Sequence, residues 1–111
     1  MTELVASGSI VLDRPKGNAH PRCPEMIYPL DYGYLENTSA ADGGGIDVWI
    51  GSMSRKTLTG ILCTFDKLKC DAEIKFLIGC TLEDVVTIQG FNSDMATLFI
   101  PNPTVEHDLS K

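Results

Sequence analysis

The strongest structural signal in the chain is a short β-strand that directly follows a run of glycines. The segment Ile46–Ile50 is rich in β-branched and aromatic residues, which strands favour. Because side chains alternate across a strand, its three aliphatic residues should share one face. Asp47 and Trp49 should then lie on the other face, away from the core. An Asp carboxylate in that position, at the mouth of a strand, is free to hold a ligand.

Similar patterns elsewhere predict an all-β fold with a minor α component. Further strands are expected at Ile10–Leu12, Thr57–Phe65, Asp71–Ile78 and Met95–Ile100. The proline-rich loop from Asp13 to Pro24 excludes a helix there. One short helix should begin after Thr81 as its N-cap, with acids in the first turn, and end near Gly90. Five or six short strands and one short helix favour a small closed β-barrel.

Length, composition and charge limit the function classes. The 111 residues contain no linker-like tract, which predicts a single domain over residues 1–111. The formal net charge of −6 argues against nucleic-acid binding and implies that any anionic substrate needs a cation. No apolar run approaches the roughly 20 residues of a membrane span. The four cysteines form no metal-binding pattern and no targeting segment is recognisable, so we expect free thiols and a cytoplasmic location.

Two carboxylates and three tyrosines lie close together in the sequence. Asp42 and Asp47 flank the glycine run, and such a pair suits a hard cation, Mg²⁺ above all, with Mn²⁺ also possible. The alternative for an isolated Asp-Gly-Gly is a surface turn between strands. The hydroxyls of Tyr28 and Tyr32 can donate to phosphate oxygens, whereas Tyr34 is expected to belong to the core.

These two blocks resemble the soluble inorganic pyrophosphatases. That family carries Tyr-Pro-x-x-Tyr-Gly-Tyr, followed at close range by Asp-Gly-Asp-Pro-x-Asp. The matching positions here are Tyr28, Pro29, Tyr32, Gly33, Tyr34, Asp42, Gly43 and Asp47. A looser similarity extends from about Val11 to about Leu77. The resemblance implies an OB-like barrel with its site in the mouth, and Mg²⁺-dependent hydrolysis of pyrophosphate or a related phosphoanhydride by a metal-activated water.

The resemblance also implies a set of site residues. Asp42 and Asp47 would be catalytic. The implied metal ligands are Asp13, Asp42, Asp47, Asp66 and either Glu73 or Asp71. The implied phosphate-binding residues are Arg22, Tyr28, Tyr32 and Lys75. Asp71, Glu73 and Lys75 share one face of a strand, and both the choice between the two acids and a plainly solvated face remain open. Likewise, Arg14, Lys16 and Arg22 could all be solvated loop charges.

Three positions differ from the family pattern and predict slow turnover. Gly44 stands where the family has an aspartate that helps deprotonate the attacking water, and Lys67 and Pro24 replace further acids. Loss of a general base typically removes about 10²–10⁴ in rate. The alternative function is therefore a catalytically degenerate protein that binds metal and phosphate. The oligomeric state is open, with a homo-oligomer possible.

Overall fold

The computed structural model describes residues 9–39 and 44–103, which form one six-stranded sheet and one helix. The elements are β1 (Ile10–Arg14), β2 (Asp31–Leu35), β3 (Ile46–Ile50), β4 (Leu58–Asp66), β5 (Asp71–Ile78), α1 (Leu82–Phe91) and β6 (Ala96–Pro101). Over these residues the predicted mostly β fold with one short helix is confirmed. The bounds of β3 and β5 agree with the sequence prediction to the residue. Strand β2, which carries two of the three tyrosines, was not assigned as a strand from the sequence.

The order of the strands across the sheet is β1-β2-β3-β5-β4-β6. Strands β1, β2 and β3 form an antiparallel meander, and β4 and β5 form an antiparallel hairpin. The two units join through parallel pairing of β3 with β5, in which Val48 is the partner of Phe76. Within the described residues the sheet is open, with β1 and β6 at its edges, so the prediction of a closed barrel is not confirmed.

Both faces of the sheet are buried near its centre. The helix-side face carries Trp49, Leu62 and Leu77, which pack with Val85 and Ile88 of α1. On the opposite face, called the far face below, a second cluster contains Leu35, Val48, Leu58, Phe76 and Ile78. The predicted alternation of β3 is therefore confirmed. The face of β3 that carries Asp47 and Trp49 was expected to lie away from the core. This expectation is wrong, because Trp49 is only 1% exposed.

Helix α1 begins as predicted, with Thr81 as its N-cap. The Thr81 hydroxyl accepts from the backbone N–H of Asp84, and the Asp84 carboxylate accepts from the N–H of Thr81, each at 3.0 Å. The same carboxylate accepts from the N–H and hydroxyl of Ser52 at 2.9 and 2.8 Å. Burial alone would raise the pKa of Asp84, but these hydrogen bonds lower it below its usual value. The helix start is thus fixed to the loop that follows β3.

In the part of the chain that the structure describes, no helix has the length and apolar character needed to cross a membrane. All four cysteines are present as free thiols. Cys80 is buried, and burial raises the pKa of its thiol to about 12. Its sulfur lies 3.9 Å from the carbonyl oxygen of Trp49, beneath the aromatic residues of the candidate site.

Candidate anion-binding site

The loop before β2 is held by backbone hydrogen bonds that fix the position of Tyr28. The N–H of Gly17 donates to the Tyr28 carbonyl, and the Tyr28 N–H donates to the Asn18 carbonyl, both at 2.9 Å. Gly17 has φ +91°, a conformation that side chains disfavour. The N–H of Lys16 donates to the Asp31 carboxylate at 2.8 Å and ties this loop to the start of β2. These hydrogen bonds of the loop therefore hold Tyr28 in place next to β2.

The glycine of the Tyr-Gly-Tyr block is required by the strand that lies against it. A Cβ at Gly33 would be 2.0 Å from the carbonyl oxygen of Val11 on β1. Glycine at this position lets β1 pair closely with β2, where Arg14 is the partner of Tyr32. Gly33, part of the Tyr-Gly-Tyr block, thus also allows β1 to approach the candidate site.

Two cations donate hydrogen bonds to two neighbouring tyrosines. Arg14 Nη1 donates to the hydroxyl of Tyr28, and Lys75 Nζ donates to the hydroxyl of Tyr32, each at 2.8 Å. The two rings lie 5.4 Å apart between centroids and are 3% and 8% exposed. The hydrogen bond to Tyr28 raises the pKa of Arg14 further, so the guanidinium stays charged. Two positive groups are thus held side by side by two buried phenols.

Two carboxylates complete the surroundings of Lys75. Its Nζ lies 3.2 Å from Asp47 Oδ2 and 3.2 Å from Glu73 Oε2. The Lys75 side chain is 10% exposed, whereas those of Asp47 and Glu73 are 32% and 39% exposed. Burial, followed by the charge of Asp47 and a hydrogen bond with it, raises the pKa of Tyr32. Tyr32 therefore remains a neutral phenol at ordinary pH.

Aromatic rings form the floor beneath these polar groups. Tyr28 lies 5.8 Å from Trp49 and 4.8 Å from Phe91 between centroids, and Tyr32 lies 4.7 Å from Trp49. The indole N–H of Trp49 is buried and has no hydrogen-bond acceptor among the described residues. Rigid rings of this kind fix the two hydroxyls in place, which preorganises the site.

Five predicted site residues are brought together: Tyr28, Tyr32, Asp47, Glu73 and Lys75. The sequence left open whether Asp71 or Glu73 belongs to this group, and Glu73 is the acid that contacts Lys75. Tyr34 was expected to be the core tyrosine, but it is half-buried, while Tyr28 and Tyr32 are buried. That expectation about burial was wrong, because Tyr32 lies beside the buried Trp49 whereas Tyr34, on the same face, lies beside the partly exposed Asp47.

Four other predicted residues lie elsewhere in the described structure. Asp66 accepts from the N–H groups of Leu68 and Lys69 in the β4–β5 turn, and exposed Asp71 is its cross-strand partner. Asp13 is exposed at an irregularity of β1, and Arg22 is exposed on the loop before β2. The cross-strand partner of Glu73 is Thr64, a buried polar residue, rather than an acid. Asp42, the remaining predicted ligand, lies outside the described residues.

Sequence reasoning missed Arg14, which was considered only as a solvated loop charge. Arg14 is half-buried at the end of β1. Simple alternation would place it on the same face as Leu12, but the pairing shifts by one residue between them, so that Leu12 faces Gly33 and Arg14 faces Tyr32. Such a bulge turns a side chain to the other face of a sheet. Nothing in the local sequence besides Pro15 hinted at it.

The charged groups suit an anion more directly than a bare metal ion. Arg14 can donate to oxygens of a phosphate, with the tyrosine hydroxyls as further donors. The three N–H donors of Lys75 are directed to Tyr32, Asp47 and Glu73, so Lys75 can donate to a phosphate only in exchange for one of these hydrogen bonds. Asp47 and Glu73 are partly exposed and could take a cation that arrives with the anion. Over residues 9–39 and 44–103, no group of three His, Cys, Asp or Glu side chains is arranged to hold a metal.

Neither the protein-family models nor the curated proteins that were searched contain a match to this chain. Its functional assignment therefore depends on its own residues.

Proposed function

We propose that this chain is a slow, Mg²⁺-dependent hydrolase of pyrophosphate or a related phosphoanhydride, with the chemistry of the soluble inorganic pyrophosphatases. The observation that carries the proposal is the pairing of Arg14 with Tyr28 and of Lys75 with Tyr32, side by side. Two cationic donors on buried phenols suit the two phosphoryl groups of such a substrate. The OB-like barrel that the resemblance implies belongs to this proposal, and OB folds can be partly open.

The metal would be held by Asp47 together with Asp42, and by Glu73. Mg²⁺ commonly binds through one or two carboxylates plus substrate phosphates, so a complete protein cage is not required. A metal bound there would neutralise the substrate and lower the pKa of an attacking water. Lys75 would then hold a phosphoryl oxygen while Asp47 orients the metal.

A second candidate function is phosphate or pyrophosphate binding without turnover. The observation that favours it is the position of Lys75 Nζ, which already forms ion pairs with both Asp47 and Glu73 at 3.2 Å. Thr64 rather than an acid faces Glu73, and Gly44 occupies the position of the family's water-activating aspartate. In this case the site still binds the anion but no longer hydrolyses it.

Phosphate release from pyrophosphate, measured with and without Mg²⁺, separates the two functions when combined with calorimetric binding. Saturable release that requires Mg²⁺ supports the hydrolase. Binding of pyrophosphate with no release supports the binding protein. If the folded chain neither binds nor hydrolyses pyrophosphate, both functions are wrong.

The Gly44→Asp variant sharpens this distinction. If the missing carboxylate limits the rate, restoring it should raise hydrolysis by about tenfold or more, the lower part of the range for a positioned general base. Thermal unfolding and Mg²⁺ titration of the variant provide the control for altered folding. A variant that folds and binds Mg²⁺ normally but hydrolyses no faster than the wild type would favour the binding protein.

A further inference from the structure

All three N–H donors of Lys75 have partners within the protein. Its Nζ lies 2.8 Å from the hydroxyl of Tyr32 and 3.2 Å from an oxygen of each of Asp47 and Glu73. An ammonium group has three donors and no acceptor, so none is left for a ligand. Glu73 reaches the ammonium because Ile74, between the two residues, lies on the far face of the sheet. A phosphate oxygen can therefore bind Lys75 only after one of these partners has been released.

The formal charges of this site cancel. The guanidinium of Arg14 and the ammonium of Lys75 supply two positive charges. The carboxylates of Asp47 and Glu73 supply two negative charges. A phosphate that arrives alone adds negative charge close to two carboxylates, and a divalent cation that arrives alone meets an ammonium beside both of its ligands. Each of these ions thus removes the obstacle to the other.

We propose that Lys75 couples the binding of a divalent cation to the binding of phosphate in this site. When the cation takes Asp47 and Glu73, the ammonium exchanges these carboxylates for a phosphate oxygen. The inference rests on the proposed function, because it concerns the same anion and the same carboxylates, and it adds how their binding is regulated. Two coupled sites typically change each other's affinity by about 5–150-fold, and the factor is the same in both directions.

The exposure of these groups favours exchange at the carboxylates. The side chains of Asp47 and Glu73 are 32% and 39% exposed, so a cation reaches them from solvent without unpacking the core. Tyr32 is 8% exposed and packs 4.7 Å from Trp49 between ring centroids, so its short hydrogen bond with Lys75 is the one that is retained. The Lys75 ammonium itself shows that the two carboxylates hold a cation between them. Mg²⁺ commonly binds through one or two carboxylates plus phosphate oxygens, which fits this donor set.

Calorimetric titration of the wild type with inorganic phosphate, with and without Mg²⁺, measures the coupling. Inorganic phosphate has no phosphoanhydride bond to hydrolyse, so the measurement does not depend on turnover. Mg²⁺ should tighten phosphate binding by about fivefold or more, and saturating phosphate should tighten Mg²⁺ binding by the same factor. A protein-free titration corrects for the complex that the two ions form in solution.

Two methionine variants show whether Lys75 carries the coupling. Lys75→Met removes the ammonium from between the carboxylates, so Mg²⁺ alone should bind more tightly than to the wild type, and the coupling factor should fall. Arg14→Met is the matched control, because it removes the same charge from a residue that donates to Tyr28 and, among the described residues, forms no ion pair with either carboxylate. It should weaken phosphate binding equally with and without Mg²⁺, which leaves the coupling factor as in the wild type.

A second variant replaces Lys75→Met if that variant fails to fold by circular dichroism. Glu73→Gln turns one ion pair of Lys75 into a neutral contact and so frees the ammonium for phosphate in the absence of metal. Without Mg²⁺ this variant should bind phosphate about fivefold more tightly than the wild type, and the gain from Mg²⁺ should shrink. Asp66→Asn is its control, because Asp66 carries the same charge but accepts from backbone N–H groups of the β4–β5 turn. It should bind phosphate like the wild type.

Three outcomes would overturn the inference. If Mg²⁺ does not raise the affinity of the wild type for phosphate, the inference is wrong, while pyrophosphate hydrolysis still tests the proposed function separately. If Lys75→Met, or Glu73→Gln in its place, keeps the full coupling factor, the coupling comes from direct attraction between the two ions and not from Lys75. If the folded chain binds neither ion, the inference fails together with the proposed function.

Discussion

Two pairs of acidic residues lie on the helix-side face of the same sheet but have different surroundings. Asp47 and Glu73 flank the buried ammonium of Lys75 at 3.2 Å. Asp66 and Asp71 face each other across the end of the β4–β5 hairpin, where Asp66 accepts backbone hydrogen bonds of the turn. From these two pairs, the family resemblance implied Asp47, Asp66 and either Glu73 or Asp71 as metal ligands. The first pair surrounds a cation, whereas in the second pair Asp66 accepts hydrogen bonds of the turn and Asp71 lies exposed opposite it.

The difference comes from the neighbouring strand. Strand β3 pairs with β5 from Val48 and Phe76 onwards, which brings Asp47 to the level of Lys75. Within the described residues, the hairpin end of β5 at Asp71, four residues before Lys75, pairs with β4 and not with β3. Glu73 lies two residues before Lys75 and contacts its ammonium, whereas Asp71 lies two residues further towards the hairpin end. Asp71, the acid two positions before Glu73, is exposed on the surface.

The largest expected effect is on the first pair. Lys75→Met would leave Asp47 and Glu73 facing each other without their cation. Removing one partner of a fully buried ion pair costs about 3–5 kcal/mol, and because both carboxylates keep partial exposure we expect a loss of about 2 kcal/mol in unfolding free energy. Urea denaturation measures it. A loss below about 0.5 kcal/mol would contradict the central place of Lys75.

A smaller effect is expected at the turn. Asp66→Ala removes the acceptor for the N–H groups of Leu68 and Lys69 and should cost about 1 kcal/mol, with unchanged pyrophosphate binding. Asp66→Asn keeps an acceptor oxygen and is the matched control, which should be close to the wild type. Loss of pyrophosphate or Mg²⁺ binding in both variants, with the fold intact, would mean that Asp66 belongs to the binding site.

The smallest effect is expected at Asp71. This residue is exposed and directly opposite Asp66, so Asp71→Asn removes a repulsion between like charges. Thermal unfolding should show a change within about 0.5 kcal/mol, in the stabilising direction. Glu73→Gln, two positions further along the same strand face, provides the contrast because it should weaken the Lys75 cluster. A larger loss of stability in Asp71→Asn than in Glu73→Gln would contradict the assignment of Glu73, rather than Asp71, to the Lys75 cluster.

Much of this arrangement could be predicted from the sequence. Strands β3 and β5, the N-cap at Thr81, and the shared face of Glu73 and Lys75 all follow from local patterns of alternation and capping. The parallel pairing of β3 with β5 could not be predicted, because strand order is set by long-range packing. For the same reason, the choice between Asp71 and Glu73 needed the register of β3 against β5.

The role of Arg14 could not be predicted from the sequence for a different reason. Its side chain reaches the tyrosines only because one extra residue in β1 shifts the pairing between Leu12 and Arg14. Periodicity assumes an unbroken strand, so a bulge reverses the predicted face of every residue after it. The sequence pointed instead to Arg22, eight positions later.

A matched pair of arginine variants tests the central claim most directly, which is that the anion site is built on Arg14 and the sheet rather than on the preceding loop. Pyrophosphate binding is measured by calorimetry in the presence of Mg²⁺ for Arg14→Met and Arg22→Met. A charged hydrogen bond to the ligand contributes about 1.5–3 kcal/mol, so Arg14→Met should weaken binding by at least about tenfold. Arg22→Met removes the same charge and should bind like the wild type. Weak binding in Arg22→Met with normal binding in Arg14→Met would contradict the account.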